Sequence, residues 1–170
     1  MNRRLRIIMA LALCLAGSVM CMAQDSLRYE NLSCVNPADN NIQEGVVFSM
    51  KIIEEKKSRQ IELVLENYPP YTEPLKIIFG KTTSLGSGKV TWMSTGSASL
   101  TRESKGVRWM LLFGAPNPEK SVVPCRLSKI TSFGQDIQPF QLAFAPGQVE
   151  QIFELLRNAV EKNIIAQSKL

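Results

Sequence analysis

Hydrophobic positions recur every second residue through most of the chain and switch to a helical spacing only near its end. Val46, Phe48, Met50 and Ile52 share one face at period two. After the charged stretch 54–59, Ile61, Leu63 and Leu65 do the same, between Gln60, Glu62, Val64 and Glu66. Two alternating runs joined by a short polar stretch predict a β-hairpin. Tyr68-Pro69-Pro70-Tyr71 then interrupts the pattern, because proline has no N–H to give to a sheet. Further strands are predicted over 75–79, 90–94, 98–102, 107–113, 122–127, 130–133 and 140–144, with a polar loop over 80–88. Trp92 and Leu100 read as inward, and Trp109, Leu111 and Phe113 share a face. Residues 24–45 form a polar, turn-rich N-terminal segment with a short edge strand expected at 27–35.

The last element follows a different period. At 100° per residue, Val149, Ile152, Phe153, Leu156, Ala159, Val160 and Ile164 fall in one sector roughly 140° wide, which predicts an amphipathic helix over 147–166. Glu150, Glu154, Arg157, Asn158, Glu161 and Lys162 take the other side. Asn163 intrudes on the apolar sector and Ile165 leaves it.

Eight to ten short strands followed by one helix make an α+β, mostly β domain over 46–170. No helix separates the strands to form a crossover, so an antiparallel order is expected. Two architectures stay open: a β-sandwich with an appended helix, or a closed, barrel-like sheet with the helix across one end. The second resembles the pleckstrin-homology-like arrangement in element order and in nothing more specific.

The N-terminus changes the picture of charge and compartment. Arg3, Arg4 and Arg6, an apolar run over 7–16 and Cys21-Met22-Ala23 before Gln24 form a secretory signal pattern with a cut after Ala23. Removing 23 of the 170 residues leaves 147, the size of one domain. The apolar run is short for a bilayer span, so a soluble periplasmic or extracellular protein is expected. A lipid anchor at Cys21 is the competing reading, although Met20 stands where a small residue is wanted. Three of the 20 Lys and Arg and none of the 15 Asp and Glu precede the cut, so the charge falls from +5 to +2. The basic pI of the precursor is therefore no argument for nucleic-acid binding. Lys56, Lys57 and Arg59 form the one local basic cluster. Cys14 and Cys21 leave with the signal, and the remaining pair, Cys34 and Cys125, is expected to form a disulfide in an oxidising compartment.

The chain has no histidine, which excludes Ser-His-Asp and Cys-His mechanisms and His-ligated zinc. Two remaining cysteines exclude a four-cysteine zinc site, and the spacing Ser-x-x-Lys does not occur. No metal or cofactor is expected. Glu54, Glu55, Glu62, Glu66 and Glu73 are candidate carboxylates for glycoside hydrolysis, set against an ordinary solvated strand face. Gly80-Lys81-Thr82 and Gly88-Lys89 resemble the end of a phosphate-binding loop, but Leu75 and Thr83 replace its leading glycine. The acidic and amide side chains from Asp39 to Glu44 suit an Asx-rich turn better than a calcium loop.

Binding candidates remain. Tyr68 and Tyr71 sit on a stiff turn from which they can stack on a sugar or a partner side chain, or fold back over the sheet. Lys81 and Lys89 bracket the polar loop. The function expected is a non-catalytic exported module that binds a protein or a glycan. The alternatives are a carboxylate- or Ser/Lys-based hydrolase of envelope polymers and a structural protein of the envelope.

Overall fold

The computed structural model describes residues 24–81 and 87–169; the signal pattern at 1–23, with Cys14 and Cys21, and most of the polar loop, 82–86, lie outside them. The strands are β1 (Ser26–Asn36), β2 (Asn41–Glu55), β3 (Ser58–Glu66), β4 (Leu75–Gly80), β5 (Ser87–Trp92), β6 (Ala98–Ser104), β7 (Val107–Phe113), β8 (Val123–Thr131), β9 (Gly134–Phe144) and β10 (Ala166–Lys169). The helix α1 (Pro146–Glu161) precedes β10. All ten strands join one strongly curled sheet, a half-barrel, in the order β10-β5-β6-β7-β8-β9-β1-β2-β3-β4.

The alternating faces become the core. Phe48, Leu65 and Leu75 stand in one row across β2, β3 and β4; Met50, Leu63 and Ile77 form the next, and Ile52, Ile61 and Phe79 the third. The same holds across β6 and β7, where Ala98 faces Phe113 and Leu100 faces Leu111. Buried side chains of this size each contribute about 1.5–3 kcal/mol relative to exposure. The curl brings the sheet's far strands together at Gly88 of β5. A Cβ there would stand 3.0 Å from Gly80 N, Phe79 Cβ and Ile165 Cγ2, so glycine is the residue that permits the closure.

Helix α1 completes the core from the other side. Val149, Ile152, Phe153, Leu155, Leu156 and Ala159 are buried, a wider face than the sector predicted because Leu155 joins it. Phe153 packs edge-on to Trp92 at 5.2 Å and to Phe113 at 6.1 Å between ring centroids. The helix begins at Pro146, with Gln148 Oε1 accepting from the Ala145 N–H at 2.8 Å. Asn158, on the expected polar side, is buried and donates to Asp25 Oδ1 at 2.7 Å.

Four expectations need correction. The sheet is single and mixed rather than a sandwich or a wholly antiparallel barrel: β10 pairs in parallel with β5, the helix supplying the crossover that parallel pairing needs. The helix stops at Glu161, not 166. The Asn163 N–H donates to Val160 O at 2.9 Å and the Ile164 N–H to Ala159 O at 2.8 Å, with Asn163 at φ 58°: a Schellman end. Thus Asn163 never belonged to the apolar sector, and Ile164 and Ile165 are buried beyond the helix. The expected edge strand, β1, is internal and pairs with both β2 and β9.

The fourth correction concerns the disulfide. Cys34 and Cys125 are free thiols. Leu142 of β9 pairs with Cys34 on one side and with Cys125 on the other, so the two cysteines are two strands apart. That spacing is about 9–10 Å between Cα atoms, beyond the roughly 7 Å a disulfide spans. Burial pushes the Cys34 thiol up to about 12 and raises Cys125 as well, which keeps both protonated and inert.

Candidate functional site

The β2–β3 turn consists of Lys56 and Lys57, since Glu55 pairs with Ser58 and Glu54 with Arg59. β4 runs antiparallel to β3, so its end returns to the start of β3: Gly80 pairs with Gln60, and Lys81 follows. The end of α1 arrives at the same place. Arg59 Nη2 donates to the carbonyl oxygen of Lys162 at 2.6 Å, and the Lys81 ammonium donates to Asn163 Oδ1. Asn163 thus does two things. Its backbone accepts the left-handed conformation that ends the helix, and its side chain holds Lys81.

The result is a cleft of about 310 Å³ lined by Lys56, Lys57, Ser58, Arg59, Lys81, Asn163 and Ile164. Among the described residues, four cations line it and no carboxylate does. Two nearby acids, Glu54 and Asp25, are already engaged. Lys162 lies 2.8 Å from Glu54 and 3.0 Å from Asp25, and Arg59 lies 3.3 Å from Glu54. Lys162, and then Arg59, hold the Glu54 carboxyl below the usual carboxylate range, while Glu54 and Asp25 raise the Lys162 ammonium. Lys56 and Lys57 have no hydrogen-bond or ion-pair partner among the described residues. Arg59 and Lys81 are therefore anchored by contacts to the helix end, and the turn lysines are not.

The other predicted candidates are placed elsewhere. Tyr68 is buried at 1% exposure, its hydroxyl donating to Phe140 O at 3.0 Å. Tyr71 is half-buried and stacks on it, centroids 6.3 Å apart. Both rings fold back against the sheet, and Tyr68 offers no free face. Lys89 lies on the outer face of β5 opposite Thr101, in a cleft separate from that of Lys81. The structure thus joins Lys81 to the Lys56–Arg59 cluster and leaves Lys89 apart.

The candidate carboxylates do not converge. Glu62 is almost buried between Lys76 and Lys51, which hold its carboxyl below the usual range. Glu66 pairs with Arg28 at 3.2 Å, and Glu54 belongs to the Lys162 pair. Asp39 Oδ1 accepts from the Asn41 N–H at 2.9 Å, as an Asx turn requires. Among the described residues no group of three or more acids or cysteines is placed to hold a metal ion, and no helix is long and apolar enough to cross a membrane.

One surface escaped the sequence reading. Two clefts of about 510 and 540 Å³ flank the β5–β6 turn and share Met93 and Ser97. Trp92 borders the first, but Arg157 lies over its ring at 5.1 Å and Phe153 packs edge-on to it, so the indole is already occupied. The first cleft is built between the β5–β6 turn and helix α1, a juxtaposition that no local pattern in the sequence announces.

No family model, curated protein or solved structure matches the chain.

Proposed function

We propose that this chain is an exported, non-catalytic binding module, acting in the periplasm or outside the cell, that engages anionic groups through the Lys56–Lys81 cleft. One observation carries the reading: four cations from two separate segments, 56–59 and Lys81, converge on one concave site that no carboxylate lines among the described residues. Two of them are held in place by the helix end, which lowers the ordering cost of binding. A hydrolase has less support, since three of the candidate glutamates, Glu54, Glu62 and Glu66, are tied up in separate ion pairs.

The test is binding of the purified protein to dextran sulfate, with uncharged dextran as control. Reversing the turn charges, Lys56→Glu with Lys57→Glu, is expected to abolish the interaction and leave the melting temperature within about 2 °C, as for other exposed substitutions. Undiminished binding by that variant would refute the proposal.

A further inference from the structure

The cleft has more definition than a positive surface patch, and its parts differ in how they are anchored. Arg59 comes from the start of β3 and is anchored twice, on Lys162 O and on Glu54. Lys81 comes from the end of β4 and is anchored on Asn163. Lys56 and Lys57 approach from the β2–β3 turn without anchors among the described residues. Ser58 adds a hydroxyl on the same wall, although it already faces Gln60 Oε1 at 3.0 Å. A volume of about 310 Å³ holds one small ionic group and its waters, not a run of them.

Resting on the binding reading above, we infer that the cleft takes a single phosphate-type dianion, the fixed pair Arg59 and Lys81 receiving it and Lys56 and Lys57 closing over it. The chemistry favours this group over a carboxylate. A carboxylate offers one charge on two coplanar oxygens, which one guanidinium satisfies. Arg59 has already spent donors on Glu54 and the Lys162 carbonyl, so it cannot grip a carboxylate with its full fork. A phosphate monoester offers close to two charges on three oxygens directed tetrahedrally, which suits several ammonium donors arriving from different sides. Glu54 and Glu55 stand beside the site and weaken it, and Glu54 is neutralised by Lys162 and Arg59. Asn163 is a positioning residue here, since it touches Lys81 rather than the anion.

The shared chemistry has two sources, a free or polymer-borne phosphate and a lipid headgroup. The experiment separates them. Isotope-labelled protein is titrated with sodium phosphate, and with sodium acetate, at one fixed ionic strength, following backbone amide shifts. Saturable shifts confined to 56–59, Lys81 and 163–164 with phosphate, and none with acetate, are expected. Lys56→Ala with Lys57→Ala should weaken phosphate affinity about tenfold, two exposed charges each contributing about threefold. Asn163→Gly keeps the helix end, because glycine adopts positive φ, and should weaken affinity about threefold by releasing Lys81.

A second arm uses phosphatidylcholine vesicles with and without phosphatidic acid. Sedimentation with the acidic vesicles assigns the dianion to a lipid; phosphate saturation without sedimentation assigns it to a soluble source. Equal responses to phosphate and acetate, or shifts spread over all surface lysines without saturation, would overturn the inference. Should dextran sulfate binding still depend on Lys56 and Lys57 in that case, the binding module stands and only the dianion falls. Should that dependence be absent too, both fall.

Discussion

Two neighbouring turns of the same sheet meet opposite fates. The β2–β3 turn carries Lys56 and Lys57 and stays in solvent; the β3–β4 connection carries Tyr68 and Tyr71 and folds inward. In sequence, the tyrosine turn is the more obvious binding element, with two aromatics on a proline pair. In the fold Tyr68 is core and Tyr71 is half-buried against it. The difference is one of transfer cost. A tyrosine ring gains by burial, and its hydroxyl needs one acceptor, which Phe140 O supplies. An ammonium loses several kcal/mol unless it takes a partner with it. Exposed aromatics therefore cannot be inferred from a stiff turn alone, whereas an unpartnered lysine pair reliably reports a surface.

Substitutions at the two turns and in the core beneath them probe this contrast. The largest effect is expected from Tyr68→Ala, which should cost about 3–5 kcal/mol in urea unfolding by leaving a cavity under the sheet. If that variant does not fold, Tyr68→Phe removes only the bond to Phe140 O and should cost about 1 kcal/mol. A Tyr68→Ala protein as stable as the parent would place the turn outside the core and dissolve the contrast.

Gly88→Ala comes next. Its methyl would meet Gly80 N, Phe79 Cβ and Ile165 Cγ2 at 3.0 Å, and two of these cannot swing aside. A loss of about 1–3 kcal/mol is expected. Because Gly80 precedes Lys81, this variant should also disturb the cleft, unlike Tyr68→Phe.

Glu62→Gln has a smaller, pH-dependent effect. Lys76 and Lys51 depress the Glu62 pKa in the folded protein, so its ion pairs contribute stability above the ordinary carboxylate range. That contribution is lost as pH falls through the depressed value. The variant should be less stable by about 1 kcal/mol at neutral pH, with the gap closing in acid. A gap that persists at low pH would assign the effect to packing instead. Both thiols should resist alkylation in the native protein and react on unfolding, with no change in melting temperature on adding reductant. Rapid native labelling would contradict their burial.

Much of the fold was legible because period two and period 3.6 survive any topology. The hairpin of Val46 to Glu66, the turns at 95–97 and 104–106 and the buried stripe of α1 all follow from it. Long-range placement was not legible. The parity of Cys34 and Cys125 suggested a bond, but only the strand order reveals Leu142 between them. Asn163 looked like a flaw in a helical stripe until its positive φ showed that the helix had ended. The cleft was half visible: Lys56, Lys57 and Arg59 are adjacent in sequence, while Lys81 joins them only because β4 runs back along β3. Lys89 is just eight residues further on, yet the sheet carries it to another face.

The most direct test of the binding reading is the affinity of the Lys56→Glu, Lys57→Glu protein for dextran sulfate, measured against the parent at one ionic strength and with melting temperatures recorded alongside. Binding is expected to be lost while the melting temperature holds. Binding equal to that of the parent, in a protein that melts normally, would contradict it.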